Sequence, residues 1–138
     1  MSQAHPFVAK MKPVWRDMDA FAHVNNAVYL TYLENAREAW WLAFAGPIDE
    51  FPFTLARIEI DFRSSATWRD LLSVRLWISR YGSSSFDFSY ILDSHDGRRI
   101  AEAKSVLVMF DRATNQPTPI DPALRARLEA FEAAPPRA

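Results

Sequence analysis

Cysteine is missing from all 138 residues, which excludes disulfides, thiolate metal sites and a cysteine nucleophile together. Histidine occurs only three times, at His5, His23 and His95. No two of them stand at the i,i+4 spacing of a helical zinc motif, so no metal is expected. Glycine is equally scarce: Gly46, Gly82 and Gly97 are the only three, and all fall at expected turns or helix ends. No apolar run approaches the ~20 residues that span a bilayer. Met1 to Pro6 lacks the charged start and apolar stretch of a secretory signal. An excess of one charge is also lacking: 16 Lys and Arg stand against 17 Asp and Glu, for a net charge of −1. The basic footprint of a nucleic-acid-binding protein is therefore absent. The expectation is a cytoplasmic protein with neither membrane nor nucleic acid as partner.

What is present favours a packed core. Hydrophobic residues make up 49% of the chain and aromatics 14%, which disfavours disorder. The length and the lack of a linker or internal repeat point to a single domain over 1–138, with a core at about 7–125.

Phe7 to Trp15 reads as a first strand, with Pro13 marking it as an edge or irregular one. Arg16 to His23 reads as a loop. A helix capped by Asn25 or Asn26 is predicted to run to about Phe44 and to stop at Gly46-Pro47. Tyr29, Tyr32, Leu33, Ala36, Trp40 and Phe44 follow 3/4 spacing and define its buried face. Four alternating runs follow: Arg57 to Phe62, Leu72 to Tyr81, Ser85 to Asp93 and Arg99 to Phe110. Gly82-Ser83-Ser84 and Asp96-Gly97 join the last three as turns. Leu107 and Met109 suggest a second apolar face on the last run, open to a partner subunit. Asp121-Pro122 opens a short helix striped by Leu124, Leu128 and Phe131, ahead of a tail at 133–138. The economical arrangement is α+β: a curved antiparallel sheet packed against one long helix.

Chemistry concentrates between Asp17 and Asn26, where two acids, a histidine and two asparagines precede the long helix. A carboxylate just ahead of a helix N-terminus lies near free backbone N–H groups. That pairing fits attack on a carbonyl whose oxygen becomes negative. Asp17 reads better as a turn or ion-pair residue, and the Asn25 and Asn26 side chains as caps. His23 reads equally as a group orienting Asp19 or water and as a loop histidine bonded to backbone. Ser83 to Ser85 is no nucleophile elbow, since no second glycine follows.

Asp17 to Leu33, with His23-Val-Asn-Asn-Ala-x-Tyr-Leu and then Leu33-Glu-Asn-Ala-Arg37, resembles the hotdog-fold acyl-CoA thioesterases, specifically the 4-hydroxybenzoyl-CoA thioesterase-like branch. Ile60-Asp-Phe-Arg63, Gly82 to Phe86, Asp96-Gly97-Arg98 and Ala101-Glu-Ala103 fall in the order and spacing of that family. The resemblance implies a hotdog fold, hydrolysis of an acyl-CoA without a cofactor, and a homodimer or homotetramer with active sites between subunits. It places the catalytic carboxylate on Asp19 and the oxyanion-binding N–H on the backbone of Asn26, with His23 beside them. Tyr29, Arg63, Ser84 and Ser85 are the expected substrate contacts, and Arg98 and Arg99 are further candidates for CoA phosphates. Phe53 and Leu55 are candidates for an acyl pocket. Whether Asp19 acts as base or nucleophile is open. A non-catalytic acyl-CoA-binding module and a hotdog dehydratase or hydratase stand as alternatives. Two departures from the family matter: Ala22 where glycine is common, and Trp68-Arg69 where a Gly-Asp pair is frequent.

Overall fold

The computed structural model describes residues 6–134; His5 and the end of the predicted tail lie outside them. Five strands form one antiparallel sheet in the order β1-β3-β4-β5-β2: β1 Phe7–Met11, β2 Phe53–Phe62, β3 Leu72–Tyr81, β4 Ser85–Ser94 and β5 Arg99–Asp111. A two-residue β6, Gln116–Pro117, adds to the end of β5. Helix α1, Val28–Phe44, lies between β1 and β2 in sequence, and α2, Pro122–Ala133, closes the chain. This is the expected curved sheet around one long helix.

The buried face of α1 carries Tyr29, Tyr32, Leu33, Ala36, Trp40 and Trp41. Trp40 is the pivot of the core. Its ring meets Phe88 of β4 edge-on at 5.0 Å and Phe131 of α2 at 5.3 Å. The helix ends as predicted: Ala45 and Gly46 N–H groups both return to the Trp41 carbonyl, and Gly46 takes φ 116°, open to glycine at no cost. The α2 start is also as predicted, with the Asp121 carboxylate accepting from Ala123 N–H and Pro122 in the first position. Glu132 anchors the far end of α2, its carboxylate accepting from Ile78 N–H of β3 and from Trp40 Nε1 at 3.2 Å.

Three expectations change. The first strand stops at Met11, because Trp15–Asp17 form a 3₁₀ turn in which Asp17 accepts from Val14 N–H at 3.0 Å. The β2 strand starts at Phe53, so Phe53 and Leu55 lie inside it. A register shift between Leu55 and Arg57 breaks the alternation there and hides the first half of the strand from a period-2 reading. On β5, Leu107 and Met109 belong to the core side with Ala101 and Ala103; the apolar residues of the other face are Val106 and Val108.

Candidate active site

The site is built on a pinned loop that feeds α1. Met18 and Val24 form an antiparallel bridge. Asp19 N–H donates to His23 O at 2.9 Å, and Asn25 N–H donates to Asp17 O at 2.9 Å. The tip, Ala20-Phe21-Ala22, closes with Ala22 N–H on Asp19 O at 3.0 Å and with Ala22 at φ 64°. This is the pattern of a three-residue hairpin loop that ends on a left-handed residue, ordinarily glycine. Ala22 holds this left-handed geometry with a Cβ, under strain.

Asp17 holds the loop from beneath. Its carboxylate accepts from Val14 N–H and from Tyr32 Oη at 2.7 Å. The Tyr32 phenol is pushed up, first by burial and then by that carboxylate. Asp17 is therefore structural, as expected. The N-cap position falls on Ala27, without a side-chain cap, so neither Asn25 nor Asn26 caps α1 as expected; Asn25 instead holds the entering turn, its side chain accepting from Ala27 N–H at 3.0 Å and its carbonyl from Val28 N–H at 2.9 Å. Regular helix begins only at Val28. Asn26 accordingly sits in the turn that enters α1, one step ahead of the expected first helical turn.

A cleft of about 410 Å³ opens at this helix start and gathers Asp19, His23, Asn26, Tyr29 and Arg63. One Asp19 oxygen accepts from Phe21 N–H at 2.9 Å. The other has no hydrogen-bond partner among the described residues, nor does the Asn26 N–H. An uncommitted carboxylate oxygen and an uncommitted backbone donor thus share one cleft beside the positive end of α1. His23 is exposed and makes no side-chain hydrogen bond to Asp19; the two meet through backbone only.

Sequence reasoning missed the far wall, formed by Phe62, Ser64 and Ser65. Behind it lies Ala66, fully buried, which ties three elements together. Ala66 N–H donates to Tyr29 Oη at 3.0 Å, and Ala66 O accepts from Val24 N–H at 2.8 Å. Tyr29 therefore lines the cleft and also positions it, and burial pushes its phenol up. The β2–β3 connection is held further by Asp70, which accepts from Ser94 Oγ, Thr67 N–H and Arg98. Burial alone would raise the Asp70 pKa, but these three donors outweigh it and hold it low.

The candidate phosphate contacts are committed elsewhere. Arg63 lines the cleft but pairs with Glu102 at 3.2 Å and Asp61 at 3.8 Å. Arg98 is held by Asp70 and Asp96, and Arg99 by Asp93 and Glu102. Ser84 and Ser85 lie at the β3–β4 turn, where Ser84 O accepts from Met109 N–H and Ser85 O from Gly82 N–H at 2.7 Å. They line no part of the Asp19 cleft of their own chain. Phe53 is buried in the core against Phe86 at 4.8 Å, so it lines no acyl pocket. Leu55 borders a different cleft, of about 290 Å³, with Arg37 and Phe51. Among the described residues no cluster of three or more His, Asp or Glu is arranged to hold a metal. Among those residues no helix is long and apolar enough to cross a membrane.

The family model described as the thioesterase-like superfamily matches residues 13–128. The chain belongs to that superfamily. It is a thioester hydrolase with a hotdog fold. The long-chain acyl-CoA thioesterase FadM of Escherichia coli K12 is 28% identical over 123 residues, 81% of this chain and 89% of that protein. A thioesterase of Thermus thermophilus, solved with coenzyme A and zinc, is 29% identical with a TM-score of 0.87, covering 97% of this chain and 99% of that one. A thioesterase-superfamily protein of Jannaschia sp. CCS1 is 23% identical with a TM-score of 0.86 over 94% of this chain and 96% of that one, and speaks to the fold.

Proposed function

We propose that this hydrolase cleaves acyl-CoA to free acid and CoA with Asp19 as its catalytic carboxylate and the Asn26 N–H as oxyanion donor. The observation that carries the reading is the shared cleft at the start of α1, in which an Asp19 oxygen and the Asn26 N–H are both uncommitted. The acyl-CoA relatives set the substrate class. In one route water adds to the thioester carbonyl carbon as Asp19 takes its proton. The C–S bond then breaks and the thiolate leaves with a proton. In the other, Asp19 itself adds to the carbonyl, expels the thiolate and forms a mixed anhydride that water opens. A carboxylate is a weak base at neutral pH, yet a thioester is an activated ester and held geometry compensates. The Asn26 N–H, aided by the helix dipole, contributes on the order of 3 kcal/mol to the oxyanion. His23, on the same cleft, is the group placed to hold the attacking water.

The open edge of the sheet supports assembly. Among the described residues the β2 strand pairs only with β5; it exposes Phe62, and Leu55 beside Leu30 of α1. Two copies joined antiparallel along β2 would bring Phe62 of one close to the start of β2 in the other. Phe53 pairs with Met109, and Met109 N–H bonds Ser84 O, so Ser84 and Ser85 lie near that start. They reach the cleft only from a second copy.

The test is thiol release with Ellman's reagent across short, long and aromatic acyl-CoAs, with Asp19→Asn beside the wild type. Release that depends on Asp19 is the expected result. Substantial activity in Asp19→Asn would move the catalytic role elsewhere, and no release from any substrate would favour a binding module. Single turnover in ¹⁸O-labelled water separates the routes, since only the anhydride route can leave label in the protein.

A further inference from the structure

A second cleft, of about 440 Å³, lies on the other side of Asp19, between Trp15 and Trp68 and against the tip of the catalytic loop. We propose that it binds the nucleotide end of coenzyme A, the adenosine carrying a 3′-phosphate and a 5′-diphosphate. This deepens the function proposed above and rests on it. Trp15 is 75% exposed and Trp68 38% exposed, with ring centroids 5.9 Å apart. Two large indoles facing solvent side by side form an apolar surface that burial in the core does not explain. Their surroundings are cationic. Arg69 lies over the Trp68 ring at 5.0 Å and Lys12 Nζ at 5.8 Å, and Arg16 lines the cleft beside Trp15.

None of Lys12, Arg16 and Arg69 has a carboxylate partner among the described residues; Lys12 Nζ donates to the Trp68 carbonyl at 2.5 Å, which leaves its charge unneutralised. Arg63, Arg98 and Arg99 are all neutralised by acids. The uncompensated positive charge near the reaction centre is therefore concentrated here. A ligand that is both flat and polyanionic fits such a place: a purine stacks on an indole face while its phosphates meet the three cations. The cleft has the volume of a small-molecule site and includes Asp19, so one substrate spans both clefts with its thioester at the shared wall.

The experiment compares Trp15→Ala, Arg16→Ala and Arg69→Ala with wild type on an acyl-CoA and on the same acyl group carried by pantetheine, which lacks the nucleotide. All three residues are exposed, so folding is retained, and light scattering checks the assembly. Trp15→Ala and Arg69→Ala are each expected to raise KM for acyl-CoA roughly tenfold with kcat held within about twofold. On acyl-pantetheine kcat/KM stays within about twofold of wild type. Calorimetry with adenosine 3′,5′-diphosphate should show binding to wild type that weakens with salt and is lost in Arg69→Ala. An unchanged KM for acyl-CoA overturns the proposal. Equal losses on both substrates also overturn it, assigning the cleft to the acyl arm, as does a smaller assembly for Trp15→Ala, which makes it a subunit contact. If wild type hydrolyses no thioester, the functional reading fails, and the calorimetric arm alone decides the cleft: saturable binding abolished by Arg69→Ala supports it and no binding overturns it.

Discussion

Replacing Ala22 with glycine is expected to stabilise the protein without changing its chemistry. Ala22 sits at φ 64°, where an L-residue with a Cβ is disfavoured by ~1–2 kcal/mol and glycine is not. The side chain is exposed, so its removal forfeits no core packing. Glycine does widen the unfolded ensemble, which offsets about 0.4–1 kcal/mol. The net gain is about 0.5–1 kcal/mol, or roughly 2–4 °C in Tm for a chain of this size. Urea unfolding at one fixed protein concentration reads it as a higher midpoint with an unchanged m-value. Turnover should stay near wild type, because the Asp19 N–H to His23 O bond that sets the carboxylate does not involve the methyl. Ala22→Val provides the opposite arm. A β-branched residue is least tolerant of this region, so it should lose at least ~1 kcal/mol and lower kcat as the loop shifts Asp19. Glycine that destabilises the protein, or valine that is neutral in both stability and turnover, would refute the account of the loop.

Asp19→Asn should reduce kcat roughly 10²–10⁴-fold with an unchanged urea midpoint, measured by thiol release beside an unfolding curve. Glu132→Ala strands two buried donors, Ile78 N–H and Trp40 Nε1, and should cost about 2–4 kcal/mol by urea unfolding; a loss under ~1 kcal/mol would mean that α2 is held by packing alone. The Asp70 carboxyl is held below its ordinary pKa, so its stabilisation is full above the unfolded value near ~3.9 and is lost as pH falls through the lower folded value. Asp70→Asn should therefore flatten the acid limb of stability as pH falls below the unfolded value, and a limb as steep as wild type would rule out this role for Asp70. Light scattering should find a dimer or tetramer, and a stable, active monomer would contradict a site completed by a second copy.

Local signals wrote α1 and α2 plainly into the sequence. The apolar spacing from Tyr29 to Trp40, the Gly46 stop and the Asp121-Pro122 start all act through neighbours a few residues away. That Asp19, His23, Asn26 and Tyr29 would lie together was legible for the same reason, since one loop and one helix start carry them. What escaped was made by tertiary contact. The β2 strand lost its period at a bulge, and the chain left β1 early because Asp17 is drawn to Tyr32 and Val14. The Ala66 junction works through backbone atoms, so no residue type announces it. Trp15 and Trp68 lie far apart in sequence and meet only through the fold.

The charge around Asp19 also argues for a direction of substrate entry. On the Asn26 side, the one arginine of the wall is flanked by two acids, Asp61 and Glu102, so that side offers a polyanion no net attraction. On the Trp15 side three cations stand with no carboxylate paired to them among the described residues. Asp19 itself repels phosphates from the wall between the clefts. On the proposed placement, a thioester with a neutral acyl arm and an anionic nucleotide arm would be sorted before chemistry begins. The reversed placement would set phosphates against Asp19, Asp61 and Glu102 while leaving Lys12, Arg16 and Arg69 unpaired, and like-charge contacts of that kind discriminate strongly. Such sorting acts on encounter and is screened by salt, so kcat/KM for acyl-CoA should fall with ionic strength more steeply than for acyl-pantetheine. Equal salt slopes for the two substrates would show that the charge asymmetry plays no part in orienting the substrate.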